Sequence, residues 1–190
     1  MQSMIQGRVV DPNAHWIVKG DVGIRCFPRV GSQSLLRTYS YNQNLEKWLN
    51  CKQKFIVVRN PWERLLSAWA MFWPPQDFGM EARGYPPCKS LDNLLIYLSS
   101  TLQSDLDLHT RSMVSQLVGI ELKGSTVVSL AYMSANPPME VSQKDVGVHL
   151  HKTMIAPPVK FSAENFRRWR LAYDSDWRLW ELAKKVPHER

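Results

Sequence analysis

The stretch KFIVVRNPWERLLSAWAMFW (Lys54–Trp73) holds a strand, a turn and a helix in direct succession. Lys54–Arg59 (KFIVVR) is apolar and β-branched, which predicts a buried strand. Asn60 then suits an N-cap, Pro61 the first helical position, and Glu63 the third, near the capping-box place. From there Trp62, Leu65, Leu66, Trp69 and Phe72 share one apolar helix face, and Arg64, Ser67 and Met71 line another. The reading is a βα unit with an arginine, Arg59, at the carboxyl end of its strand.

A similar unit precedes it. Gly23–Phe27 (GIRCF) predicts a short buried strand and Ser34–Asn42 a helix, with Pro28, Arg29, Val30, Gly31, Ser32 and Gln33 between them. Free N–H groups at a helix start favour an anion, a glycine lets the backbone approach it, hydroxyls donate and an arginine adds charge. Taken singly, this loop is what any turn before a surface helix looks like. Taken singly, Arg59 and Ser67 are equally ordinary. Two such junctions in one small chain point to a ligand with two separated anionic groups, since an arginine fork grips phosphate and a serine can donate to it.

Downstream, Pro74–Lys89 (PPQDFGMEARGYPPCK) reads as a long loop. Ser90 caps a helix over Leu91–Leu102, and Thr126–Met133 (TVVSLAYM) predicts a third strand, with a loop (ANPPMEVSQKD) after it. Two helical patterns, Ser162–Tyr173 and Asp176–Val186, close the chain. Strands alternating with helices predict an α/β fold around a central parallel sheet, whose ligands lie beyond the carboxyl ends of the strands.

The 190 residues suit a single domain with its own core. Net charge is +7, which favours an anionic partner, whether nucleotide, nucleic acid, sulfated glycan or membrane surface, without choosing among them. Three scattered cysteines, Cys26, Cys51 and Cys88, form no CxxC pair and read as reduced structural thiols. No signal pattern opens the chain, and no apolar run reaches the roughly 18 residues of a membrane span. A soluble, cytoplasmic protein of bacterial or phage type is the expectation.

Residues 27–35 (FPRVGSQSL) resemble the 5′-phosphosulfate loop of sulfotransferases, PK-x-G-[ST]-[ST]-[SL], and the 58–69 segment within VVRNPWERLLSAW resembles their 3′-phosphate motif, R-x-P-x-x-R-x-x-S-x-[YFW]. The likeness is to the carbohydrate (Golgi-type) branch. HLHKT (His149–Thr153) is similar to a degenerate form of that branch's H-x-N-K/E-[ST] segment. LAYDSDWRLWE (Leu171–Glu181) is similar to its closing Y-x-x-D-[FW]-x-L-[FWY]. The resemblance implies a P-loop-like three-layer fold and 3′-phosphoadenosine 5′-phosphosulfate (PAPS) as donor, without a metal. It also implies in-line sulfuryl transfer to an acceptor hydroxyl, on a glycan or a small hydroxylated molecule. Carried over by position, Arg29, Val30, Gly31, Ser32, Gln33 and Ser34 bind the 5′-phosphosulfate, and Arg59 and Ser67 bind the 3′-phosphate. Arg29, standing where the family has lysine, is the leaving-group cation. The family's glutamate in the third strand is replaced by Ser129 and Ala131.

Among the histidines His15, His109, His149, His151 and His188, the base assigned is His109, in DLHTRSMVSQL (Asp107–Leu117). That segment resembles one in which a histidine precedes a Pro-Gln pair, with the more distant Gln116 in its place. Glu81 and Glu63 are the reserve bases, His149 and His151 shape the cofactor loop, and Pro74–Lys89 is the acceptor wall or lid.

Three other readings compete. A P-loop kinase requires GxxxxGK[ST], which the chain lacks. A nucleic-acid module would use the arginines and tryptophans of Phe166–Trp180, but their aromatics recur at helical spacing, as core residues do. A PAPS-binding protein without turnover shares every donor contact and differs only in catalysis.

Overall fold

A computed structural model gives the fold; it describes residues 4–5, 8–9, 15–30, 45–72, 85–86, 88–138 and 159–185. The strands are β1 (Met4–Ile5), β2 (Arg8–Val9), β3 (His15–Lys19), β4 (Val22–Cys26), β5 (Gln53–Val58) and β6 (Ser125–Ser129). The helices are α1 (Leu45–Leu49), α2 (Pro61–Phe72), α3 (Leu91–Ser100), α4 (Leu130–Ala135), α5 (Ala163–Ala172) and α6 (Asp174–Leu182). Strands β1 and β2 form a separate antiparallel pair, and the main sheet runs β3-β4-β5-β6.

The main sheet is mostly parallel, because β4, β5 and β6 run in one direction and β3 opposes β4. The β3–β4 hairpin turns through Gly20 and Asp21, with Gly20 at a φ of 57°, the left-handed backbone that a tight hairpin turn needs. Helices cover the sheet, making an α/β architecture as expected. The antiparallel β3, formed by HWIVK, is an addition to the expected strands.

Every residue of β4 after Val22 is buried, so both faces of this strand are covered. Trp16 and Trp48 pack against each other with ring centroids 5.0 Å apart and planes tilted by 56°, and a Cβ at Gly23 would come within 2.6 Å of Trp48 Cδ1. Glycine is therefore the residue that admits the α1 tryptophan. A second apolar cluster lies between helices, where Leu65, Trp69 and Phe72 of α2 meet Leu91, Leu94, Leu95 and Leu98 of α3. Trp62 joins it through Phe161, Phe166 and Trp169, with ring centroids at 5.0, 5.0 and 5.6 Å.

Caps set most helix boundaries. Asn60 Oδ1 accepts from the amides of Trp62 and Glu63 at 3.0 and 3.4 Å, starting α2 where the sequence places it. Ser90 and Ser162 accept from Asn93 N and Asn165 N, starting α3 and α5.

Two expected elements change. The predicted strand Thr126–Met133 ends at Ser129, whose Oγ accepts from Tyr132 N at 3.0 Å and opens α4. The predicted helix Asp176–Val186 begins at Asp174 and stops at Leu182, because Lys184 pairs with β6, donating to Val127 O at 3.0 Å and accepting from Ser129 N at 2.9 Å. The predicted Ser34–Asn42 helix and most of the Pro74–Lys89 loop lie outside the described residues. At the end of that loop Tyr85 and Cys88 are buried against the helix cluster. No helix among the described residues is long and apolar enough to cross a membrane.

Two substitutions test this packing. Gly23→Ala is expected to cost about 1–3 kcal/mol, since the new methyl must displace Trp48. Thermal unfolding measures it.

The second concerns Asp92, whose carboxylate ties α3 to α5 by accepting from Ser162 N at 2.8 Å and Asn165 Nδ2 at 2.9 Å. These bonds hold its pKa below the ordinary 3.8. A depressed folded pKa contributes stability above the unfolded value and loses it as pH falls through the folded one. Asp92→Asn should therefore destabilise at pH 7 and converge on the wild type in acid, as urea unfolding at several pH values would record.

Candidate anion site at the ends of β4 and β5

β4 and β5 are adjacent and parallel, so the chain leaves both at the same edge of the sheet. From β4 it enters a turn closed by Val30 N donating to Phe27 O at 3.3 Å, with Pro28 second and Arg29 third. Arg29 has a φ of 66°, the only non-glycine residue with positive φ among those described. A third turn position in this conformation is normally glycine or asparagine, and an arginine there carries roughly 1–3 kcal/mol of strain. What holds it is the side chain. Its Nη2 donates to Ser67 O and Oγ at 2.8 Å each, its Nε to Ser67 Oγ at 3.1 Å, and its Nη1 to Met71 Sδ at 3.6 Å. Ser67 and Met71 thus form the docking face that helical spacing gives them.

From β5 the chain reaches Arg59, whose Nη1 donates to Arg29 O at 3.4 Å and whose Nε meets Glu63 Oε2 at 3.2 Å. Glu63 therefore also serves as an electrostatic partner, beyond its place in the first turn of α2. Arg29, Arg59 and Ser67, assigned from sequence to two loops, stand in one continuous cluster. Val30 adds no donor to it: its side chain is in the core and its N–H is taken by the turn. Gly31, Ser32, Gln33 and Ser34 lie outside the described residues, as do His149, His151, His188 and Glu81.

His109 follows Asp107 in a tight turn. Asp107 Oδ1 accepts from His109 N at 3.0 Å and meets His109 Nδ1 at 2.6 Å. An ionised carboxylate only accepts, so the neutral ring carries its proton on Nδ1 and keeps a lone pair on Nε2, the arrangement a general base needs. The imidazole is partly exposed, with 23% of its side chain accessible to solvent.

The His109 turn is bound to the rest of the molecule by polar groups that the sequence named but gave no such work. Arg64, buried in α2, donates from Nε to Pro28 O at 3.1 Å, from Nη1 to Arg111 O at 2.9 Å, and from Nη2 to Leu108 O at 2.9 Å. Gln116 Nε2 donates to the same Leu108 and Arg111 carbonyls, at 3.3 and 3.1 Å. Burial lowers the pKa of Arg64, opposed by the nearby Asp176 carboxylate.

Asp176 is itself buried and accepts from Ser112 Oγ at 2.5 Å, Met113 N at 2.9 Å and Val114 N at 3.0 Å. Tyr173 Oη donates to Thr110 O at 2.9 Å, and Tyr85 Oη is hydrogen-bonded to Thr110 Oγ1. Burial raises the pKa of both phenols, which therefore stay neutral as hydrogen-bonding groups.

Two of these had a signal in the sequence. Arg64 is the second arginine of the R-x-P-x-x-R segment, and the structure buries it with Pro61 and Ala68, where the sequence sets it with Ser67 and Met71 on the face away from the apolar one. Asp107 stands two residues before His109, the spacing of a side chain that turns back on the following amides. Asp176 and Tyr173 belong to the closing segment LAYDSDWRLWE, and their work is to hold the 110–114 chain. Trp169 and Tyr173 are 1% and 2% exposed, so neither offers a face on which a base could stack. All three cysteines are buried; burial pushes the Cys26 thiol up to about 12 and the Cys88 thiol up to about 11, which suits inert packing groups.

Comparison of the chain with protein-family models, curated proteins and solved structures finds no match.

The Asp176 network has a measurable worth. Asp176→Ala strands the Ser112 hydroxyl and the Met113 and Val114 amides, and is expected to cost about 3 kcal/mol. Urea unfolding reads that loss, and Asp176→Asn, which keeps one acceptor oxygen but turns the other into an N–H donor and removes the charge, should recover only part of it.

Proposed function

We propose that the chain is a PAPS-dependent sulfotransferase with a P-loop-like fold, transferring a sulfuryl group to an acceptor hydroxyl, on a carbohydrate or a small hydroxylated molecule. The observation that carries this reading is the meeting of Arg29, Arg59 and Ser67 at the carboxyl ends of two adjacent parallel strands. Ligands of open α/β sheets lie at such ends, and two arginines with a serine match the chemistry of a nucleotide's phosphates. The +7 net charge suits both an anionic donor and an acidic glycan.

In the reaction, the acceptor oxygen attacks sulfur in line with the departing phosphate oxygen. The new S–O bond forms as the S–O bond to the phosphate breaks, leaving 3′,5′-adenosine bisphosphate. His109 takes the acceptor proton at Nε2, with Nδ1 steadied by Asp107. Arg29 supplies positive charge to the phosphate oxygens, which gain negative charge as the bond breaks. Its guanidinium lies on Ser67, so donor binding must share or exchange those hydrogen bonds.

The reading is tested by calorimetric titration with 3′,5′-adenosine bisphosphate beside ATP and 5′-AMP. Binding should require the 3′-phosphate, and Arg59→Ala should weaken it about 10- to 100-fold, the worth of one charge-assisted contact. Equal binding of all three nucleotides, or of none, would sink the proposal.

A further inference from the structure

Arg64 is 3% exposed, and each nitrogen of its guanidinium bonds a different carbonyl. One acceptor, Pro28 O, belongs to the peptide that leads into Arg29. Another, Leu108 O, belongs to the peptide that leads into His109. The third, Arg111 O, closes the His109 turn. We infer that Arg64 is a positioning residue that couples the two halves of the site, so that displacement of the Arg29 turn is transmitted to the His109 turn. The inference rests on the proposed roles of Arg29 and His109 for its catalytic meaning, and on the hydrogen bonds alone for its existence.

Burying Arg64 is costly. An apolar side chain at this inward position of α2 would pack without desolvating a charge, whereas a buried arginine is tolerated only with its donors satisfied. The satisfaction comes from backbone, with the Asp176 carboxylate supporting the charge from nearby. A lysine could not replace it, because an ammonium is a point on a flexible stem, while a guanidinium is a rigid planar fork. Rigidity is what makes the coupling mechanical: a carbonyl that moves at one prong rotates the fork and disturbs the other prongs.

The two ends are also held by different groups. The 108–111 turn is held by Gln116, Tyr173 and Tyr85 as well as by Arg64. The Arg29 turn carries a strained φ and is held by its own Val30 N to Phe27 O bond, by side-chain bonds to Ser67 and Met71, by Arg59 at Arg29 O and by Arg64 at Pro28 O. Strain of this kind persists only where the surroundings over-determine it. Any ligand that draws Arg29 from Ser67 releases one of those restraints and shifts load onto the rest, of which Arg64 is the one that also reaches the His109 turn.

The test uses the full chain labelled with nitrogen-15 and needs no ligand in its first arm. The His109 ring signals and the Arg64 Nε–H signal are followed when Arg29→Ala is introduced, in the wild type and in Arg64→Lys. Both signals should move in the wild type, and the His109 ring should be unmoved by Arg29→Ala once Arg64 is lysine. A His109 ring that ignores Arg29→Ala, or responds equally in both backgrounds, overturns the inference.

Should Arg64→Lys fail to fold, the wild-type background decides alone: His109 moving without Arg64 Nε–H also overturns it, and the two moving together support it. Leu95→Ala, a truncation in the helix cluster, controls for general loosening, and a shift of His109 as large as that from Arg64→Lys would assign Arg64 to packing only. In a second arm 3′,5′-adenosine bisphosphate is added. Failure to bind removes the sulfotransferase reading and leaves the coupling measured in the first arm unaffected.

Discussion

A guanidinium buried away from water must spend its N–H groups on acceptors, and Arg64 does so on the backbone of two segments far apart in sequence. That one constraint relates the strand–turn–helix unit of Lys54–Trp73 to everything around it. The helix is seated on the sheet by the strand before it, its other face packs on α3 and α5, and its arginine reaches both the β4 turn and the 108–111 turn. The Arg29 fork onto Ser67 lies one helical turn further along the same helix. Two turns of α2 therefore position the backbone of both halves of the candidate site.

The closing helices complete the arrangement from the opposite end of the chain. α6 delivers Asp176 to the Ser112 hydroxyl and the Met113 and Val114 amides, and the junction before it delivers Tyr173 to Thr110. An irregular segment needs such partners, since its amides and carbonyls lack the ladder of a helix or sheet. The aromatic residues of α5, which as a sequence resemble a base-stacking array, are turned inward onto Trp62 and form the wall behind α2. The arginines of α5 stay outside, with Arg168 paired to Glu164, and Leu171 is exposed beside them.

Much of the fold was legible because its signals are local. KFIVVR had to be a strand on composition, and Asn60-Pro61 had to begin a helix on capping chemistry, since neither depends on distant residues. Ser90 and Ser162 announce their helices in the same way. HWIVK escapes a local reading because it alternates weakly, and its pairing is set by the Gly20-Asp21 hairpin rather than by its own pattern. Thr126–Met133 reads one element too long, because Ser129 is at once a strand residue and a cap, and propensity does not distinguish the two uses. The boundary of α6 differs for a tertiary reason, the pairing of Lys184 with β6.

The sequence by itself marked Arg29, Arg59 and Ser67 as candidates for an anion site and showed the kind of junction they belong to, because arginine, serine and cap residues act within a few positions of one another. It also determined the alternation of strands and helices that aligns those junctions on one edge of a parallel sheet. Only the tertiary structure decided that Arg29 lies on Ser67, that Arg64 is buried with backbone carbonyls for partners, and that Asp176 and Tyr173 secure the His109 turn. These are contacts between segments remote in the chain, and their existence depends on which groups water leaves unsatisfied when the sheet and helices close together, a condition no local pattern encodes.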